Sequence, residues 1–218
     1  MVFADRRDAG RRLAAALAHL RDRRPFVVAV PRGGVVVGRE VANFLQAPLD
    51  VIVPRKLRAP FNPELAIGAV AEGGAVFIDE DTARGIGSGY LGQEIAAQRG
   101  EIARRVMVYR GGRSLPCLEG VTAIVVDDGI ATGATMVAAL RAVRALAPAQ
   151  LVAAVPVAPP EGIVRLAKEA DEVVCLAAPA LFHAVGQFYA DFSQIEDDEV
   201  VALLAGGLRP HTASGEGR

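Results

Sequence analysis

The sequence predicts an α/β fold in which helices flank a parallel β-sheet. Short apolar runs that end in glycine, proline or aspartate alternate with segments whose leucines and valines recur at helical spacing. A strand over 26–30 precedes a helix over 35–45, and a strand over 122–127 precedes a helix over 136–146. Parallel strands need such crossover helices, so the alternation indicates a Rossmann-like sheet.

The same patterns place the remaining elements within one domain over 1–218. Further core elements are predicted as helices over 8–23, 161–170 and 197–204, and as strands over 49–53, 151–155 and 172–176. The stretch 57–110 breaks this rhythm with prolines and glycines, a hairpin of 66–70 with 75–78, and a long helix over 90–109. We therefore expect an inserted lid or subdomain over 57–110 and an irregular, aromatic C-terminal element over 177–205.

Composition restricts the function classes. The net charge of −1 does not favour a nucleic-acid partner, and no apolar run approaches the roughly 20 residues that span a bilayer. Cys117 and Cys175 form no CxxC pair, so neither a zinc site nor a disulfide framework is indicated. We expect a cytoplasmic protein without a membrane segment.

The most informative stretch runs from Ile124 to Thr135, with the sequence IVVDDGIATGAT. An apolar strand ends in Asp127 and Asp128, and a small-residue loop then enters a helix. Free backbone N–H groups and the dipole at a helix N-terminus favour a phosphate, and Gly133 permits close approach. Paired carboxylates at a strand end accept hydrogen bonds from sugar hydroxyls. The pattern predicts a cradle for a sugar phosphate.

Simpler interpretations of these residues exist. Thr and Gly after a strand often form only a cap and a turn, and Asp128 alone would serve as an N-cap. Paired aspartates also open phospho-acceptor receiver domains, although such a motif lies near the chain start and lacks the Thr-Gly-x-Thr loop. The sequence contains no Gly-Lys-[Ser/Thr], which excludes a Walker loop here.

The stretch VVDDGIATGAT resembles the signature of type I phosphoribosyltransferases, which bind 5-phosphoribosyl-1-pyrophosphate (PRPP). The resemblance implies the fold of that family over most of the chain, with a C-terminal hood. It also implies that Asp127 and Asp128 bind the ribose hydroxyls. The PRPP-binding loop would then comprise Gly129, Ala131, Thr132, Gly133, Ala134 and Thr135.

Two other loops resemble the pyrophosphate-binding parts of the family. Arg32, Gly33 and Gly34 follow the first strand, where the family binds pyrophosphate through backbone N–H groups, often with an unusual peptide geometry. Arg55 and Lys56 resemble the basic pair that precedes the catalytic loop. Adjacent side chains on an extended chain face opposite ways, so only one of the pair is expected to reach the ligand. The alternatives are an ordinary turn and a basic sheet edge.

The resemblance also implies the chemistry. A nitrogen nucleophile displaces pyrophosphate from C1 of PRPP, with Mg²⁺ carried by the ligand near Asp127 or Asp128. The residues assigned to catalysis are Arg32, Arg55, Lys56 and Asp128. In 6-oxopurine enzymes of the family an aspartate precedes the first threonine of the loop, whereas this chain has Ala131. This difference argues against a hypoxanthine- or guanine-type reaction.

The acceptor side is less defined by the sequence. Phe182, Phe188 and Tyr189 are candidates to stack on a flat acceptor, and core packing is the alternative. The segment 57–88, with Glu64 and Glu72, coincides with the mobile lid of the family or forms a homodimer contact. We expect transfer from PRPP to an unidentified nitrogenous, nucleobase-like acceptor. The alternatives are a non-catalytic PRPP- or nucleotide-binding regulator and a sugar-phosphate hydrolase.

Overall fold

The computed structural model describes residues 3–206, and the polar tail predicted from Gly206 onward lies outside it from residue 207. A five-stranded sheet forms its centre, in the order β2-β1-β6-β7-β8. All neighbouring pairs are parallel. Its strands are β1 (Phe26–Ala29), β2 (Leu49–Val51), β6 (Thr122–Val126), β7 (Gln150–Val157) and β8 (Glu172–Ala177). The predicted parallel α/β sheet is confirmed.

Helices cover both faces of this sheet. They are α1 (Arg6–Ala16), α2 (Gly33–Leu45), α3 (Ser88–Arg110), α4 (Ala134–Arg144), α5 (Pro160–Leu166) and α6 (Asp197–Ala205). Alternate strand residues pack on opposite faces: Val27 and Ile124 contact one cluster, whereas Val28 and Val125 contact the other. Such two-sided burial explains why the strands are apolar throughout.

The first helix is shorter than predicted. The Asp5 side chain accepts a hydrogen bond from the Asp8 amide and starts α1 at Arg6, two residues earlier than expected. The α-helix stops at Ala16, and a 3₁₀ helix follows over Ala18–Arg23. Leu17 and Leu20 are fully buried, and the tighter three-residue repeat keeps both on the core side.

The inserted segment is a second, antiparallel sheet rather than a bare lid. It contains β3 (Pro54–Ala59), β4 (Asn62–Ala71) and β5 (Val76–Ile78), in that order. The predicted hairpin is present, but β4 starts four residues earlier, and Arg55 and Lys56 lie on β3 instead of at the end of the second strand. Leu57 and Ile67 are fully buried in the same cluster as Val27 and Ile124, so one face of this sheet packs on the core of the central sheet.

The first described residues, Phe3 and Ala4, pair with the segment 188–191 beside the central sheet. The amide of Phe3 donates to the carbonyl oxygen of Phe188 at 2.7 Å, and the amide of Ala190 donates to that of Phe3 at 2.8 Å. The Asp191 amide continues the pairing with the Ala4 carbonyl oxygen at 2.9 Å. As a result, the start of α1 lies next to the segment that leads into α6.

A buried arginine joins the insertion to the central sheet. Arg110 ends α3, has a side chain only 1% exposed, and contacts Glu72 and, at 4.0 Å, Asp50. Its Nη1 donates to the Val51 carbonyl oxygen at 3.4 Å. Burial raises the pKa of Glu72 and of Asp50, and the charge of Arg110 opposes both shifts. The charge of the guanidinium therefore favours the ionised forms of two largely buried carboxylates.

Replacement of this arginine is expected to destabilise the fold. Arg110→Met leaves Glu72 and Asp50 buried without a counter-charge, which costs about 3 kcal/mol of unfolding free energy. Urea denaturation monitored by circular dichroism measures this loss. The control is Arg104→Met, because Arg104 is exposed on the same helix and pairs only with Glu101. A loss below about 1 kcal/mol for Arg110→Met would contradict the role given to this network.

Candidate functional site

Two adjacent carboxylates lie at the carboxyl end of β6. The amide of Asp128 donates to Asp127 Oδ1 at 2.8 Å, which folds the first side chain back over the second residue. Burial raises the pKa of Asp127 well above its ordinary value, and the neighbouring charge of Asp128 raises it further. Burial also raises the pKa of Asp128, but a hydrogen bond from Arg6 opposes that shift. Adjacent acids held in this way are available to accept hydrogen bonds from a ligand.

Arg6, from the first turn of α1, is a site residue that the sequence analysis missed. Its Nε donates to Asp128 Oδ2 at 2.7 Å, and its Nη1 donates to the Ser193 carbonyl oxygen at 2.8 Å. The guanidinium carbon lies 3.8 Å from the ring centroid of Phe192. Arg6 is separated from Asp128 by 122 positions in the chain, so no local pattern indicates the contact.

The loop after β1 packs directly on the acid pair. A Cβ atom at Gly33 would lie 1.9 Å from Asp128 Oδ2, and one at Gly34 would lie 2.9 Å from the Asp127 Cα atom. Only glycine fits at these two positions, because any side chain would collide with the acids. The peptide between Pro31 and Arg32 is cis. The family resemblance implied an unusual peptide geometry in this loop, whereas the close packing of both glycines on the acids was not predicted from the sequence.

The loop between β6 and α4 leaves its backbone donors free. Gly133 adopts a φ of 79° immediately before α4 starts at Ala134. Within residues 3–206, no hydrogen bond is donated by the amides of Ala131 to Met136. Ala131 and Thr132 are exposed, whereas Gly129 is buried against Val157. Free amides at the start of an 11-residue helix form an environment that suits a phosphate group.

The acid pair, the β1 loop and Thr135 at the start of α4 border one open cavity of about 610 Å³. The residues that line it do not include Gly34, Gly129 or residues 131–134. Among the predicted site residues, the cavity is lined by Arg32, Gly33, Arg55, Lys56, Asp127, Asp128 and Thr135. Lining residues to which the sequence analysis assigned no site role include Arg6, Arg58, Arg105, Phe192, Gln194 and Ile195. The cavity therefore lies between the acid pair on one side and the inserted sheet with α3 on the other.

The wall formed by the insertion is strongly cationic. The Arg55 Nε donates to Gln98 Oε1 at 3.1 Å, and burial together with the nearby charge of Arg105 lowers the pKa of Arg55. Lys56 is exposed. On the opposite wall, Arg32 Nη1 lies 3.3 Å from Glu196 Oε2, and this glutamate is largely exposed. Mutually repelling cations that face a cavity favour an anionic ligand.

The candidate acceptor aromatics do not line this cavity. Phe188 and Tyr189 are buried in a cluster with Phe3, and Phe182 packs on Phe188 at a centroid distance of 5.1 Å. The Tyr189 hydroxyl donates to the Asp128 carbonyl oxygen, so Tyr189 holds the backbone of the acid pair. The aromatic ring at the cavity is Phe192 instead. The assignment of Phe182, Phe188 and Tyr189 to acceptor binding stays a prediction.

Comparison with known proteins identifies the family. The model of the phosphoribosyl transferase domain matches residues 5–193. The chain belongs to the phosphoribosyltransferase family. Two Mycobacterium tuberculosis proteins, from strains H37Rv and CDC 1551, are each 48% identical over 216 residues and are named "Putative phosphoribosyl transferase" Rv0571c and MT0597. The match covers 98% of this chain and 49% of each of theirs, so the chain spans about half the length of these relatives.

A solved structure agrees with the family assignment. TT1426 from Thermus thermophilus is 47% identical in sequence to this phosphoribosyltransferase family member, and its crystal structure matches with a TM-score of 0.79. The alignment covers 94% of this chain and 98% of TT1426. The parallel five-stranded sheet flanked by helices, together with the family match, confirms the type I fold indicated by the sequence.

Two further features concern membranes and metals. In the part of the chain that the structure describes, no helix has the length and apolar character needed to cross a membrane. Over the same residues, His, Cys, Asp and Glu side chains form no group of three or more that could hold a metal ion.

The raised pKa of Asp127 should make the free energy of unfolding depend on pH. Because the pKa of Asp127 is raised in the folded state, stability falls as pH rises from the ordinary carboxyl range near about 4 through the folded pKa. Asp127→Asn keeps the oxygen that accepts from the Asp128 amide and removes the buried charge. We expect its free energy of unfolding at pH 8 to rise by about 1 kcal/mol, with little difference at pH 4.5.

Urea denaturation at the two pH values measures this effect. Asp22→Asn is the control, since Asp22 is exposed on the 3₁₀ helix after α1. An unchanged or lower stability of Asp127→Asn at pH 8 would contradict the unfavourable burial of the charge.

Proposed function

We propose that this family member transfers the 5-phosphoribosyl group from PRPP to a nitrogenous, nucleobase-like acceptor and releases pyrophosphate. The observation that carries the proposal is the order of groups along the site. A free helix N-terminus, a buried acid pair and a cationic wall follow one another. This order matches the 5-phosphate, the ribose diol and the pyrophosphate of PRPP.

The loop before α4 binds the 5-phosphate in this proposal. The binding residues are Gly129, Ala131, Thr132, Gly133, Ala134 and Thr135. The free amides donate to phosphate oxygens, the helix dipole favours the negative charge, and the two threonine hydroxyls add donors. The positive φ of Gly133 turns the chain so that successive amides converge.

The acid pair binds the ribose. An ionised carboxylate offers only acceptors, so Asp127 and Asp128 orient the two ring hydroxyls as donors. Burial makes this binding selective, because an acceptor in a water-poor site needs a partner. The family generally uses Mg²⁺ with PRPP, and the proposal includes it. The site fits an ion that is carried by pyrophosphate oxygens, with Asp127 or Asp128 beside it and no full set of protein ligands.

The pyrophosphate lies between the two cationic walls. Arg32 reaches it from the β1 loop, together with the amides of Gly33 and Gly34. Arg55 and Lys56 both line the cavity, so both are assigned to pyrophosphate from β3, although strand alternation predicts that only one of them would reach it. During the reaction the bond from C1 to the pyrophosphate oxygen breaks and its electron pair leaves with pyrophosphate. The acceptor nitrogen forms the new bond to C1, and its proton passes to solvent. Arg32, Arg55 and Lys56 stabilise the departing charge, while Asp128 holds the ring in place.

Asp128→Asn tests the ribose assignment and the reaction together. The variant is expected to bind PRPP with magnesium at least about tenfold more weakly than the wild type, because a charged acceptor is lost. Isothermal calorimetry measures the affinity, and Asp22→Asn serves as the control. A pyrophosphate-release assay with purines, pyrimidines and small amines tests turnover of the wild type.

The outcomes separate the competing functions. Unchanged PRPP affinity in Asp128→Asn would contradict the diol role of the acid pair. Tight PRPP binding without turnover of any acceptor would contradict the transfer reaction and indicate a regulatory function instead. Phosphate release in the absence of an acceptor would indicate a hydrolase.

Arg55→Met tests the pyrophosphate wall. We expect the affinity for PRPP to fall by about tenfold, because a charge-assisted hydrogen bond to pyrophosphate is lost, while the affinity for ribose 5-phosphate stays unchanged. Arg84→Met is the matched control, since Arg84 lies on the same insertion but is exposed and pairs with Asp81. An equal loss for both ligands would show that Arg55 acts through the fold and not through pyrophosphate.

A further inference from the structure

Arg6 occupies an unfavourable position for a helical arginine. It is the first residue of α1, where the helix dipole disfavours a positive charge. It is also buried, with 8% of its surface exposed. A buried cation at a helix N-terminus lowers stability unless its contacts offset the cost. Those contacts are with Asp128, Ser193 and Phe192, and all three lie at or beside the cavity.

The hydrogen bonds of Arg6 leave one donor group available. Nε is bonded to Asp128 Oδ2 and Nη1 to the Ser193 carbonyl oxygen. Within residues 3–206, Nη2 makes no hydrogen bond, and Arg6 lines the cavity. The planar guanidinium fixes Nη2 relative to Nε, so this donor stays close to the carboxylate of Asp128.

We propose that Arg6 is a substrate-binding residue that recognises the sugar hydroxyls together with Asp128. A hydroxyl group donates one hydrogen bond and accepts others. Asp128 accepts from a ring hydroxyl, and Arg6 Nη2 donates to a hydroxyl oxygen of the same diol. The inference rests on the proposed function and adds a donor to a site that otherwise offers the diol only acceptors.

The surroundings hold the arginine ready for this role. The Phe192 ring lies against one face of the guanidinium at 3.8 Å, and such stacking favours a planar cation over an ammonium group. A Cβ atom at Gly33 would come within 2.6 Å of Arg6 Nε, so the β1 loop also packs on this side chain. The arginine is therefore oriented before the sugar arrives, which limits the entropy lost on binding.

The test compares two ligands that differ only in the diol. Methyl ribofuranoside 5-phosphate and its 2,3-dideoxy analogue both keep the ring closed and both carry the phosphate. Calorimetry gives the ratio of their affinities for the wild type, for Arg6→Lys and for the control Arg7→Lys. Arg7 is the exposed neighbour on α1 and pairs with Glu40, away from the cavity. PRPP binding to the wild type is measured alongside.

We expect the wild type to bind the diol ligand at least about tenfold more tightly than the dideoxy analogue. In Arg6→Lys this affinity ratio should be smaller by a factor of about five or more. The affinity of the dideoxy analogue should stay within about twofold, because the phosphate loop is untouched. A role limited to neutralising Asp128 would be fulfilled by lysine, which keeps the charge but not the fork. An unchanged ratio in Arg6→Lys overturns the inference and leaves the proposed function intact.

Phe192→Leu provides a second route if Arg6→Lys does not fold. Phe192 is 38% exposed, so the smaller side chain is tolerated, but the stacked face of Arg6 is lost. The diol preference should again fall, and an unchanged preference overturns the inference. A wild type that binds PRPP without any diol preference overturns the inference and the ribose role of the acid pair. Failure to bind PRPP at all overturns the proposed function itself.

Discussion

The burial of two neighbouring carboxylates at the end of β6 is the constraint around which the site is organised. Withdrawal from water raises the pKa of both Asp127 and Asp128, and the neighbouring charge of Asp128 raises the pKa of Asp127 further. The surrounding structure offsets this cost through the bond from Arg6 and the backbone amide of Asp128. Removal of the charge of Asp127 should therefore favour folding and weaken ligand binding, a conflict expected at functional sites.

Close packing then determines which residues surround the acids. Gly33 and Gly34 bring the β1 loop within contact distance of Asp127 and Asp128, and Tyr189 donates to the Asp128 backbone from behind. The phosphate loop, the β1 loop and the C-terminal segment thus meet at one strand end. The insertion adds the opposite wall through β3 and α3, which explains why an antiparallel sheet accompanies a parallel α/β fold.

The sequence predicts the parts of this arrangement that are encoded locally. Apolar runs and helical spacing are sufficient for the central sheet, and the stretch over 124–135 identifies the family. The role of Arg6 depends on a contact across 122 positions, and Phe192 directly follows the segment 188–191 that pairs with Phe3 and Ala4. Neither contact leaves a periodic signal. The assignment of Phe182, Phe188 and Tyr189 to the acceptor stays a prediction, because aromatic composition alone does not distinguish a cavity wall from a core.

The crystal structure of the chain with PRPP and magnesium tests the central claim most directly. The account predicts the 5-phosphate within hydrogen-bond distance of the amides of 132–135, and the ribose hydroxyls on Asp127 and Asp128. Pyrophosphate should lie between Arg32 and the β3 cations. A cavity that stays empty at saturating PRPP, or a phosphate bound away from the start of α4, would contradict it.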